Sequence, residues 1–361
     1  MKRLLTLILL FFIGVVLPFG CTSSNSNTPQ TSSDSASNVL NLYNWSTYIS
    51  PEAIAQFEEK YNVKVNYDTY DSNESLYAKL KPGNPGYDVA FPADYMVKIM
   101  IDEAMVEPLD KGNIPNLKHI DKKFLNPPYD AQNQYSVPYQ WGTLGIGYNI
   151  QVTGAEINSW KTMFDPKFSG KTAWLDDMRH TFGAVLIYLG LDPNTTQETE
   201  IQQAKDFMIE NQKNVAAFLP DTGQLLLNQG EVDLTMEYSG DIFQVMEENP
   251  NLRYVIPQEG SIIWTDNIVI PKNAPHKELA EKFIDFVLEP EISASISNFI
   301  NYGTPNKTAV EQKLIKPENL NNPGIYPPNQ VFSKLKYLKD VGEATVLYDE
   351  AWSEVKLGAG S

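Results

Sequence analysis

The stretch VLNLYNWSTYISPEAIAQFEEKYNVKVNYDTY, residues 39–70, carries the pattern that decides the fold class. Val39 to Trp45 reads as a short apolar strand. Ser50 stands as an N-cap before Pro51 at the first helical position, with Glu52 in the first turn. Ile54, Phe57 and Tyr61 then share one face, which predicts a helix over about 51–61. Val63, Val65, Tyr67 and Thr69 alternate with Lys64, Asn66 and Asp68, the period of two that a strand requires. Strand, helix and strand in succession is the rhythm of an α/β protein.

The same switching of period continues outward. Tyr87 to Phe91 reads as another strand, and 196–211, 223–229 and 277–289 read as helices. In the last of these Leu279, Phe283, Phe286 and Val287 point inward, Glu278 lies four before Lys282 on the outside, and Pro290 stops the helix. The chain has no repeat of 20 to 50 residues.

Of 361 residues, 42% are hydrophobic and 20% charged, an ordinary globular composition for two domains. The formal charge is −17 and the basic residues form no cluster of the kind that follows a phosphate backbone, so nucleic acid is not an expected partner. At the start, Lys2 and Arg3 precede an apolar run from Leu4 to Leu17 that ends on Gly20. Residues 1–20 therefore read as a signal peptide, too short for a spanning helix. Cys21, the one cysteine, follows at once. It has no partner for an internal disulfide, and the junction is similar to a bacterial lipoprotein signal, although Pro18 stands where that motif usually has an aliphatic residue. Residues 21–38 are then the lipid-anchored cysteine and a polar tether, whose coil would span about 23 Å r.m.s.. No second hydrophobic span follows.

His119, His180 and His276 are scattered, which argues against a metal site, and Gly145-Ile146-Gly147 lacks the third glycine of a dinucleotide fingerprint. Neither a P-loop nor a nucleophile elbow is present. No cofactor and no catalysis are expected. What recurs is an aromatic ring near a carboxylate: Trp45 and Tyr48 in the first loop, Tyr95 beside Asp94, the pair Asp176-Asp177, Tyr238 with Asp241, and Trp264 with Asp266. Taken singly, such an aromatic is usually core and such an aspartate a cap. Together they are what an organic polycation needs, because its ammonium groups seek carboxylates while ring faces attract the cation and cover its methylenes.

Seven segments carry a resemblance to a known family: LYNWSTYISP (42–51), TYDSNESLYAKL (69–80), YSVPYQWGTLGIGYN (135–149), LDDMRHTFG (175–183), MEYSGD (236–241), IPQEGSIIWTDNIVIP (256–271) and YGTPN (302–306). From about Leu40 to Lys356 the chain resembles the spermidine/putrescine-binding proteins of polyamine ABC importers. The resemblance implies the α/β, two-lobed type II periplasmic-binding-protein fold with a ligand cleft between the lobes. Residues 39–141 plus 267–305 would form lobe 1 and 142–266 plus 306–361 lobe 2, with crossings near Trp141 and Asp266. It further implies aromatic walls from Trp45, Tyr48, Tyr95, Tyr238, Trp264 and Tyr302, with Ser46 beside them, and amine-binding acids at Asp177, Asp241 and Asp266. His180 and Thr47 stand where relatives carry glutamates, and Leu338 where one relative contributes an amide. Neutral His180 would accept from an ammonium and protonated His180 would repel it.

The expected partners are a polyamine, a membrane permease and, through Cys21, the outer face of the cytoplasmic membrane. A carboxylate-pair glycoside hydrolase and a non-transport sensor on the same fold are the competing readings.

Overall fold

The computed structural model describes residues 38–358. The expected signal peptide, Cys21 and all of the expected tether except Asn38 lie outside the described residues. Among those described, no helix is long and apolar enough to cross a membrane.

The opening βαβ unit forms as its sequence predicts. Strands β1 (Val39–Trp45) and β2 (Lys64–Tyr70) pair in parallel, Val39 opposite Lys64 through Trp45 opposite Tyr70. The helix Pro51–Tyr61 joins them. Ser50 Oγ accepts from Ala53 N at 3.1 Å, and Asn62 closes the helix in the left-handed region at φ 51°. Its buried face is Ala53 and Phe57, with Phe57 wedged edge-on against Phe283 at 5.1 Å and beside Phe286 at 5.4 Å. Those two rings come from the helix Lys277–Val287. Pro290 does more than end that helix: as the first residue of the next one, Pro290–Ile300, it also sets a favourable φ for a helix start.

Strand β3 (Val89–Ala90) is shorter than the sequence suggests, and it lies parallel to β1. Strand β4 (Ser136–Asn149) is the long element: 14 residues, all but the last buried, spanning about 46 Å. Beyond it come β5 (Thr172–Leu175), β6 (Val215–Leu219), β7 (Leu234–Tyr238) and β8 (Leu252–Val255), then β9 (Ser261–Val269) and the two-residue β10 (Leu335–Lys336). The sheet order is β2-β1-β3-β9-β4-β7-β5-β6, with β8 added on β4 and β10 on β9.

The architecture turns on β4 and β9. They run antiparallel from Ser136 opposite Val269 to Thr143 opposite Ile263, with a bulge between Pro138 and Gln140. The end of β9 also meets β3, while the far half of β4 pairs with β7 and β8. Both strands therefore belong to two halves of the sheet, which the helices cover as two lobes. Gln140 faces Asp266 and Trp141 faces Thr265 at the crossing. Gly303 exchanges two backbone hydrogen bonds with Trp141, at 2.9 and 3.0 Å, which delivers the segment around Tyr302 to the same place. Farther on, the short helix Lys307–Glu311 packs on the first half, where Thr308 Oγ1 lies 2.9 Å from His119 Nδ1.

Phe57→Ala should lower the stability of the folded protein by about 3–5 kcal/mol in urea titration, because the ring is fully buried between two helices.

Candidate functional site

A narrow cleft, with a free volume of about 40 Å³, opens at the crossing, between the two halves. Nine of the residues picked out from the sequence line it: Trp45, Ser46, Tyr48, His180, Tyr238, Asp241, Trp264, Asp266 and Tyr302. Asn73, Ala93 and Asp221 complete it.

Each wall has a local cause. Trp45 ends β1 and donates Nε1–H to Phe91 O at 2.9 Å. Thr47 takes a positive φ of 44° and so turns the chain sharply between Ser46 and Tyr48, a strained setting for a β-branched residue. Tyr139 donates its hydroxyl to Tyr48 O at 2.8 Å, which fixes that turn from below. Trp264 and Asp266 alternate on one face of β9, where Trp264 packs edge-on against Tyr302 at 5.0 Å and Tyr238 at 5.8 Å. Two glycines permit this close approach. A Cβ on Gly142 would stand 2.5 Å from the Trp264 ring, and one on Gly240 would stand 2.4 Å from the Tyr302 ring.

The electrostatics are one-sided. Among the described residues no lysine or arginine lines the cleft, yet Asp221, Asp241 and Asp266 do. Burial pushes the Asp266 carboxyl well above its ordinary range, and the nearby charge of Asp94 adds to this. Burial, with Asp221 beside it, pushes Asp241 up to about 7, although Tyr302 donates its hydroxyl to Asp241 Oδ2 at 2.7 Å. Glu237, fully buried behind Tyr238, is pushed well above its usual range by burial and then by Asp241. At the other end burial, with Asp177 nearby, pushes Glu74 up to about 7. Among the described residues, Trp264 Nε1 and His180 Nε2 are buried in the walls without a hydrogen-bond partner, and the Tyr48 hydroxyl is directed to Asp266. Buried anions without cations, and unpartnered polar atoms, mark a surface shaped for something else.

Two expected residues do not reach the cleft surface. Asp177 caps the helix Met178–Tyr188, accepting from His180 N at 2.9 Å, and its Oδ1 also lies 3.1 Å from His180 Nδ1. Burial works against its ionisation, but His180 and Arg179 together outweigh it and hold Asp177 below the usual range. His180 stands in front and meets the cleft, its ring edge-on to Tyr238 at 5.3 Å. Tyr95 sends its hydroxyl to Glu74 Oε1 at 3.3 Å, near Asp177 and Tyr238 behind the cleft wall, and also borders a second cavity. Leu338 lines that cavity too, away from the cleft. Asp221 went unnoticed in the sequence because LPDTG reads as an ordinary turn; only the fold carries it across to Ser46, whose Oγ donates to Asp221 Oδ2 at 2.9 Å.

Residues 52–323 match the family of bacterial extracellular solute-binding proteins. The chain belongs to that family. It is 38% identical over 326 residues to the spermidine/putrescine-binding periplasmic protein of Salmonella typhimurium, covering 90% of this chain and 93% of that one. It is 33% identical to a putrescine-binding periplasmic protein of Escherichia coli, covering 89% and 92%. Among solved structures, a spermidine/putrescine ABC transporter substrate-binding protein from Streptococcus pneumoniae superposes with a TM-score of 0.76 at 33% identity, covering 89% of this chain and 99% of that one. This solute-binding protein thus has the two-lobed type II periplasmic-binding-protein fold, and the cleft lies where the lobes of that fold meet.

The raised carboxyls set the pH dependence of the ligand-free protein. A carboxyl whose folded pKa exceeds its unfolded one binds more protons when folded, so stability falls as pH rises from about 4 toward 7. Asp241→Asn keeps an acceptor for Tyr302 but removes the charge. It should raise ligand-free stability at pH 8 by on the order of 1–2 kcal/mol and flatten the slope between pH 5 and 8, as read by thermal unfolding.

Proposed function

We propose that this solute-binding protein captures a polyamine, spermidine or putrescine, in the cleft and delivers it to an ABC permease after the lobes close around it. The observation that carries this reading is the set of buried carboxylates, Asp241 and Asp266 foremost, facing aromatic walls with no lysine or arginine among the described residues that line the cleft. An ammonium group supplies the missing charge, and the rings of Tyr48, Trp264 and Tyr302 cover the methylenes between charges. The names of the relatives point to the same ligand class.

The roles follow from position. Asp266 and Asp241 take ammonium groups, Asp221 adds a carboxylate from the second lobe, and Trp45, Tyr238 and His180 bound the ends. Asp177 and Tyr95 act through His180 and Glu74 rather than by direct contact. Lobe closure draws Ser46 of the first lobe onto Asp221 of the second. We place the lobe boundaries inside β4 at 141/142 and inside β9 at 266/267. The last boundary lies later than residue 305, since Lys307–Glu311 packs on the first half. The reading needs no cofactor and no chemical step, and neither the glycoside hydrolase nor the sensor has an observation in its favour. Export by residues 1–20, acylation at Cys21 and a place on the outer face of the cytoplasmic membrane complete the proposal.

Thermal-shift titration with spermidine, putrescine, cadaverine and amino acids tests it. A bound polyamine at 100 times its dissociation constant should add about 2.7 kcal/mol of stability, and no response to any amine would overturn the reading. Asp266→Asn should remove most of the response.

The pH dependence has a definite sign. Carboxyls near 7 must ionise to hold an ammonium, so below that pH binding releases protons. Polyamine affinity should therefore fall several-fold from about pH 8 to about pH 6. Calorimetry in buffers of different ionisation enthalpy measures the released protons directly, and proton uptake instead of release would contradict the assignment.

A further inference from the structure

Behind the cleft lies a larger cavity of about 510 Å³. Strand geometry places it on the opposite face of β9: Trp264 and Asp266 line the cleft, whereas Thr265 between them lines the cavity. Its two walls come from different lobes. Phe124, Pro127 and Tyr129 stand on the first-lobe side, and Tyr337 and Leu338 face them. The segment carrying Tyr337 is pinned to the second lobe. Asn194 Nδ2 donates to Tyr337 O at 2.9 Å, Lys339 N donates to Asn194 Oδ1 at 2.7 Å, and Arg179 Nη1 donates to Lys339 O at 3.1 Å.

At the inner end sits Asp94, only 2% exposed, whose oxygens accept from Tyr95 N at 2.7 Å and Thr265 N at 3.3 Å. Of the lysines around the cavity, Lys98 is ion-paired with Asp102, the Lys123 ammonium lies over the Phe124 ring at 4.9 Å, and Lys339 is exposed beside exposed Asp340. Among the described residues the hydrogen-bond partners of Asp94 are backbone amides; burial pushes its carboxyl up to about 7, although those amides and the nearby His180 act the other way.

We propose that this cavity is a second binding site, for a hydrophobic monoamine whose ammonium meets Asp94 and whose apolar body fills the space between Tyr129 and Leu338, and that its occupancy favours the closed cleft. One buried charge is the right number, because Asp94 is the buried carboxylate among the described lining residues, whereas Asp340 stands exposed at the rim, where an ammonium would remain in water. The coupling follows from the hinge. Rotation of the lobes about β4 and β9 that narrows one face widens the other, and here the cleft mouth is bridged by Ser46 and Asp221 while the rear cavity stands open. An occupant at the rear resists the reverse rotation, and by linkage a ligand in the cleft strengthens binding at the rear.

The coupling, though not the second site itself, rests on the polyamine reading of the cleft, and the test separates the two. Calorimetric titration of the full chain carrying Asp266→Asn with 2-phenylethylamine reads the rear site alone, and saturable binding is expected. In the parent chain, saturating 2-phenylethylamine should tighten spermidine binding by about fivefold or more. Leu338→Trp, which puts an indole into the space opposite Tyr129 that the probe would occupy, should abolish binding of the probe and tighten spermidine binding by itself. Should that variant fail to fold, Tyr337→Ala, at a position 38% exposed, should weaken the probe at least about threefold by removing one aromatic wall. Absence of probe binding, binding undiminished in Tyr337→Ala, or spermidine affinity unchanged or weakened by the probe would overturn the proposal. A parent chain that bound the probe but never spermidine would instead overturn the reading of the cleft.

Discussion

The antiparallel pairing of β4 with β9 is the constraint on which the rest of the molecule depends. Because both strands continue into both halves of the sheet, every residue at the crossing is fixed in register and in face. A slip of one residue in β9 would turn Trp264 and Asp266 away from the cleft and bring Thr265 into it. The bulge between Pro138 and Gln140 lies on the first-lobe side of the crossing. The exchange of hydrogen bonds between Trp141 and Gly303 then attaches a third segment there, bringing Tyr302 against Trp264. Two glycines, one on β4 and one at the start of the helix Ser239–Glu248, leave room for those rings.

The cleft is built at a cost to the folded state. Asp241, Asp266, Glu237 and Glu74 are all held where burial opposes their ionisation. A sequence selected only for stability would place apolar groups or ion pairs there. The stability that offsets this lies elsewhere, in the packing of Phe57 with Phe283 and Phe286 and in the second-lobe cluster around Trp160, Trp174 and Phe182, all fully buried. Strain at Thr47 belongs to the same division of labour, since a positive φ in the first loop presents both Ser46 and Tyr48 to the cleft.

The sequence by itself determined the classes of element and most of the residues at the site. Period and capping foretold the first βαβ unit, because Ser50, Pro51 and the alternation after Val63 act within a few residues of one another. The segments of family resemblance located nine of the residues that line the cleft. What only the tertiary structure decided was direction and company. Asp177 and Tyr95 carry the right chemistry, but a helix cap absorbs one and a hydrogen bond to Glu74, behind the cleft wall, takes up the other. Asp221 lies 175 positions from Ser46 in a turn with no signature, and β6 brings it to the cleft mouth. Local patterns record interactions between near neighbours, whereas a cleft between lobes is made by long-range register, which no short stretch of chain contains.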